Sequence, residues 1–138
     1  MLKHLLFILS FVLCLSVAAQ AQTIRNTSNS VLVTIDDKGV VRNTSNSFIA
    51  RIEPNGVIRD GGNHYLGKVE SDGTVRDRNN SYMGRIESNG TVRNRNNSIL
   101  GKVDENGSVR DKNNHALGTA KGVSMYHAAL FFFFGFFQ

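Results

Sequence analysis

A 17-residue period runs through this chain, with glycine at 39, 56, 73, 90 and 107 and arginine at 25, 42, 59, 76, 93 and 110. One unit reads Ser81-Tyr82-Met83-Gly84-Arg85-Ile86-Glu87-Ser88-Asn89-Gly90-Thr91-Val92-Arg93-Asn94-Arg95-Asn96-Asn97. Such a period marks a repeat architecture: one small unit cannot bury its apolar face alone, so neighbouring units must bury it together.

Each unit carries two short β-rich runs. Between them stands Asp-Lys-Gly, Pro-Asn-Gly, Ser-Asp-Gly, Ser-Asn-Gly or Glu-Asn-Gly, ending at Gly39, Gly56, Gly73, Gly90 and Gly107. These are hairpin signals. A two-residue loop would oppose Ile86 to Arg93 and mix apolar with charged on both faces. A three-residue loop pairs Ile86 with Val92 and Arg85 with Arg93, which separates an apolar face from a charged one as the period-two pleat requires. That loop is a type I turn followed by a left-handed residue, which calls for glycine and admits Pro54 at the first central position. On the charged face Glu87, two residues from Arg85, can approach both arginines, and Glu53, Glu70 and Asp104 repeat the placement. An anion-binding ring of arginines and a solvated ladder of compensating charges are the two readings. The ladder is preferred, its exposed pairs contributing about 0–1 kcal/mol each.

Hairpins are joined by Asn- and Asp-rich segments at 77–80, 94–97 and 111–114, residues that tolerate left-handed backbone and bond their own turns. Glycine at 67, 84, 101 and 118 falls mid-strand, where it weakens pairing and calls for a bend or a close approach. Phe48, Tyr65 and Tyr82 lie two residues before this column. Alternation alone puts them on its face, as core packing in preference to a sugar-binding platform.

Residues 23–29 match the second half of a unit and 115–121 the first half, so five glycine-turn hairpins stand between two orphan strands. An open stack needs polar caps, whereas in a closed ring the orphans pair and leave fewer edges. The tandem Gly-Lys/Arg-Ile/Val-Glu-x-Asn/Asp-Gly-Thr-Val-Arg signatures, with an export signal and a Phe-rich tail, resemble the bacterial 5-fold β-flower proteins from residue 23 to about 137. The resemblance implies a radial, all-β array of five tandem hairpin repeats and an envelope or secreted location, with no established activity to carry over. The first full unit departs from the pattern, with Val33-Thr34 in place of Gly-Lys/Arg, so an irregular first petal is expected.

Residues 1–21 read as an export signal. Lys3 and His4 precede an apolar stretch from Leu5 to Leu15, and Ala19-Gln20-Ala21 supplies a small-x-small cleavage pattern. Cys14 raises a lipoprotein alternative, but Leu13 stands where a lipobox wants Gly or Ala. Cleavage after Ala21 removes Cys14, the one cysteine, and leaves neither disulfides nor thiolate metal sites. It also leaves fifteen Lys or Arg against eleven Asp or Glu, interleaved within every unit. A nucleic-acid binder would carry a continuous basic stripe, so no nucleic-acid partner is expected.

The repeat domain spans 22–121, and 122–138 form a separate apolar segment that holds six of the nine phenylalanines. It is too short to span a bilayer. Exposed, Phe131, Phe132, Phe133 and Phe134 would be an aggregation hazard. They pack as a helix from about Ser124 on the ring, or else bind a membrane surface, an envelope protein or a second copy. Packing on the ring is preferred, because a thin β-ring needs the area that phenylalanine buries. No catalytic constellation, metal set or cofactor loop stands out. The chain is expected to be a secreted or periplasmic, non-catalytic β-repeat protein without a cofactor, acting in binding or structure. An envelope protein held by its tail and a glycan-binding module are the alternatives.

Overall fold

The structure is a computed structural model that describes residues 22–137; the expected export signal lies outside the described residues. Twelve short strands and one helix make up the described chain. The strands are β1 (Gln22–Arg25), β2 (Val31–Ile35), β3 (Val40–Arg42), β4 (Phe48–Ile52), β5 (Val57–Asp60), β6 (Tyr65–Val69), β7 (Thr74–Asp77), β8 (Tyr82–Ile86), β9 (Thr91–Asn94), β10 (Ile99–Val103), β11 (Ser108–Asp111) and β12 (Ala116–Thr119). Helix α1 covers Met125–Phe134. Each strand pairs antiparallel with its chain neighbours, and β12 returns to β1, closing the ring.

The three-residue glycine loop forms as the side-chain pattern requires. Arg85 opposes Arg93 and Ile86 opposes Val92, the Gly90 N–H donates to the Glu87 carbonyl, and Gly90 has φ +92°. The glycine carbonyl also accepts the N–H of the next hairpin's first strand, as in Val103 N to Gly90 O at 2.9 Å, so each turn ties two petals together. The connecting segments are built alike with asparagine in the left-handed position. Asn80 has φ +64°, and Asp77 Oδ1 accepts the N–H groups of Asn79 and Ser81, each at 2.9 Å.

The two orphan strands pair as expected, with Arg25 opposite Thr119. This is the same register as Lys102 opposite Arg110 within a complete hairpin. The ring therefore contains five continuous glycine-turn hairpins and a sixth assembled from its two ends. The first petal also keeps the common register, Thr34 opposite Arg42 and Ile35 opposite Val41, despite its divergent sequence.

One expectation is corrected by a bulge repeated around the ring. Between hairpins the register skips a residue: Val75 opposes Gly84 but Arg76 opposes Tyr82, so Met83 is the extra residue. Directly opposed residues share a face, which puts Tyr82 on the outer, arginine-bearing face. The same skip moves Phe48 opposite Arg42 and Tyr65 opposite Arg59. Phe48 and Tyr82 are accordingly 38% and 37% exposed instead of lying in the core. Leu32, Ile49, Leu66, Met83, Leu100 and Leu117 pack inward in their place.

The core includes the buried strand residues Ile24, Ile35, Val41, Ile52, Ile58, Val75, Ile86, Val92, Val103 and Val109 together with α1, of which Ala128, Ala129 and Leu130 are fully buried. A helix apolar on every side must be surrounded. Successive side chains of its C-terminal part reach successive petals. A Cβ built on Gly118 would meet the Phe132 ring, one on Gly101 the Phe133 ring and one on Gly84 the Phe134 ring. Gly135, left-handed at φ +69°, ends the helix and sends Phe136 to Gly67. The mid-strand glycines thus leave room for phenylalanine rings. In the first two petals Val33 and Ala50 occupy the same position and are themselves buried.

Candidate functional site

The outer face carries two kinds of feature, a charge cluster on each of the four hairpins from β4–β5 to β10–β11 and an arc of aromatics on three of them. In β8–β9, Glu87 Oε1 accepts from Arg93 Nε at 2.6 Å and lies 3.5 Å from Arg85 Nη2. Glu53 bridges Arg59 at 3.0 Å and Arg51 at 3.4 Å, and Glu70 bridges Arg76 at 2.8 Å and Lys68 at 3.5 Å. Asp104, one methylene shorter, lies 3.8 Å from Arg110. The Arg93 hydrogen bond first, then its charge and the Arg85 contact, hold the Glu87 carboxyl below the ordinary range. The arginines also donate through Nη1 to the carbonyl of the left-handed asparagine four residues on, as from Arg93 to Asn97 at 3.0 Å. These cations are largely committed to the scaffold, which is the compensating ladder expected from the pattern.

The first petal lacks such a pair. Thr34 replaces the first cation, and Asp36 Oδ1 accepts the N–H groups of Lys38 and Val40 at 2.9 and 3.0 Å. Its carboxylate closes its own turn.

The aromatic arc comes from one repeat position on consecutive petals: Phe48 on β4, Tyr65 on β6 and Tyr82 on β8. Ile99 follows at the same position, 46% exposed. A cleft of about 290 Å³ opens beside Phe48, lined also by Arg51, Arg59, Asp60 and Asn63. The Asp60 carboxyl is held below its usual range chiefly by the backbone N–H of His64, then by the His64 ring and the N–H of Gly62. Those partners lie at 2.9, 3.1 and 2.9 Å. Gly61, directly after β5, abuts the Phe48 carbonyl of the same petal, which a Cβ there would approach to 2.7 Å.

The sequence-predicted residues therefore separate into three places. Gly39, Gly56, Gly73, Gly90 and Gly107 shape the turns at one end of the ring. Phe48, Tyr65 and Tyr82 lie on the outer face of three consecutive petals. Phe131 is buried and Phe132, Phe133 and Phe134 are half-buried against the core, so the tail phenylalanines are taken up by the ring. The bulge that turned the aromatics outward had a sequence signal: the position before each mid-strand glycine, or its equivalent, is Leu, Ile or Met in all six copies.

No curated protein and no solved structure matches the chain. Residues 21–137 match the family described as 5-fold beta-flower protein, and with its hairpin repeats, closed ring and C-terminal helix, the chain belongs to that family.

Proposed function

We propose that the protein is an exported, non-catalytic binding module whose outer aromatic arc grips an extended polysaccharide of the cell envelope. The observation that carries this reading is the outward placement of Phe48, Tyr65 and Tyr82 on consecutive petals, Phe48 and Tyr82 exposed and Tyr65 half-buried, each directly across from an arginine. Copies of one repeat position lie two strands apart, about 10 Å, close to the length of two sugar units in an extended chain. Aromatic faces cover the apolar side of sugar rings, while the arginine, asparagine and aspartate of the adjoining cleft offer partners for hydroxyls. Glycoside hydrolysis takes a pair of carboxyl groups across the scissile bond. Among the described residues the lining of the cleft beside Phe48 holds one carboxyl group, that of Asp60, already bonded to the N–H groups of Gly62 and His64 and to the His64 ring. The tail-anchored alternative draws no comparable support, since its phenylalanines face the core.

The test is binding to a panel of envelope polysaccharides by the protein and by its Tyr65→Ala and Tyr82→Ala variants. Each substitution is expected to weaken binding roughly tenfold, one step of 1.4 kcal/mol, with an unchanged melting temperature because neither residue lies in the core. A bound glycan indifferent to both substitutions, or no glycan bound at all, would refute the reading.

A further inference from the structure

The split petal departs from the charge pattern of the four petals from β4 to β11. In four complete hairpins the second-strand arginine (Arg59, Arg76, Arg93 or Arg110) faces a carboxylate at 2.6–3.8 Å. Arg25 holds the same repeat position, but the acid's place is taken by Lys121, and Thr119 replaces the first-strand cation. Neither Arg25 nor Lys121 has a carboxylate within ion-pair distance among the described residues. Where β12 meets β1, with no turn joining the two among the described residues, lies a cleft of about 530 Å³.

That cleft is lined by Arg25, Lys121, Gln22, Asn29, Asn106 and Thr119, with Thr23 and Gly122 completing it. No carboxylate stands among the described residues of its lining. Arg25 spends one N–H on the Asn29 carbonyl at 2.9 Å, which fixes its guanidinium and leaves further donors of its five for a ligand. Two cations in the lining of a polar cleft favour an oxyanion, which arginine can hold through paired N–H groups. The volume exceeds what a bare oxyanion fills and falls within the roughly 300–1,000 Å³ of small-molecule sites. Gln22, Asn106 and Thr119 bring neutral amide and hydroxyl groups suited to ring hydroxyls.

We infer that the seam of the ring is a binding site for a phosphorylated or sulfated ligand of monosaccharide size, with Arg25 and Lys121 holding the anion. The site is separate from the aromatic arc and does not depend on it. The discriminating experiment follows backbone amide shifts of the purified protein by NMR while inorganic phosphate, glucose 6-phosphate and glucose are added in turn. Both anions should shift the amides around residues 22–25 and 119–122, glucose 6-phosphate at lower concentration than phosphate, and glucose should shift none. Lys121→Glu returns the repeat's acid opposite Arg25, so it should weaken anion binding at least tenfold while leaving the fold as stable or more so. Arg25→Gln provides a second variant with the same expected loss. Binding of glucose as tightly as glucose 6-phosphate, anion binding untouched by both substitutions, or no response to either anion at millimolar concentration would overturn the assignment. Equal affinity for phosphate and glucose 6-phosphate would overturn its sugar component.

Discussion

At the scale of single residues, glycine serves two unrelated purposes in this chain. The turn glycines supply a left-handed backbone, a requirement visible inside one repeat. The mid-strand glycines supply vacancy. A Cβ on Gly101 would lie 2.6 Å from the Phe133 ring and closer still to the Arg110 carbonyl, with no left-handed φ to complicate the comparison. Gly101→Ala is therefore expected to destabilise the protein by about 1–3 kcal/mol, the usual cost of overpacking, read from urea denaturation. Ala50 already carries a methyl group at the equivalent place and is buried, so Ala50→Gly should destabilise as well, by leaving a void. That glycine mid-strand needed a close neighbour could be read from the repeat. That the neighbour is a phenylalanine ring from beyond the last repeat could not, because the two are unrelated by the period.

At the scale of elements, neither strands nor helix stand alone. The strands are 3 to 5 residues long, and a ten-residue helix falls below the roughly 12–15 residues at which isolated helices become even marginal in water. Each is stabilised by the other through burial. Leu130, fully buried, should on truncation to alanine cost about 2–5 kcal/mol, and denaturation should remain a single transition if ring and helix form one cooperative unit. His127, in the first turn of α1, borders a cleft of about 490 Å³ together with Asp37, Lys38, Glu53, Glu70 and Tyr126. Burial lowers its pKa. A lowered folded pKa means that the unfolded chain takes up the proton first. The stability linked to His127 is present above about pH 6.5 and is lost as pH falls through the lowered folded value. Melting temperatures across that window should decline in the parent protein and flatten in His127→Gln.

At the scale of the whole molecule, closure is the property that matters, and it depends on a seam that no turn reinforces. Arg25 and Thr119 are direct cross-strand partners, and such pairs have Cα atoms about 4.5–5.5 Å apart, inside the roughly 4.4–6.8 Å range of disulfides. The double variant Arg25→Cys/Thr119→Cys should form an intramolecular disulfide and gain about 2–4 kcal/mol when oxidised. The readout is the melting temperature with and without reductant, alongside a monomeric band on a non-reducing gel. Cross-linking only between chains would mean that the ring is open. The hairpin loop, the pairing of Ile86 with Val92, the two-faced strands and the bracketing half-units were all decided by the sequence itself. Each rests on interactions within 17 residues, so every copy of the repeat states the same local preference again. The outward turn of Phe48, Tyr65 and Tyr82, the inward apolar column before the glycines, the helix inside the ring and the cationic seam were decided only by tertiary structure. They arise where one hairpin docks on the next or where the two ends of the chain meet: closure joins segments that no repeat brings together, and the bulge shows in the sequence only as the apolar residue before each mid-strand glycine or its equivalent, which alternation by itself assigns to the wrong face.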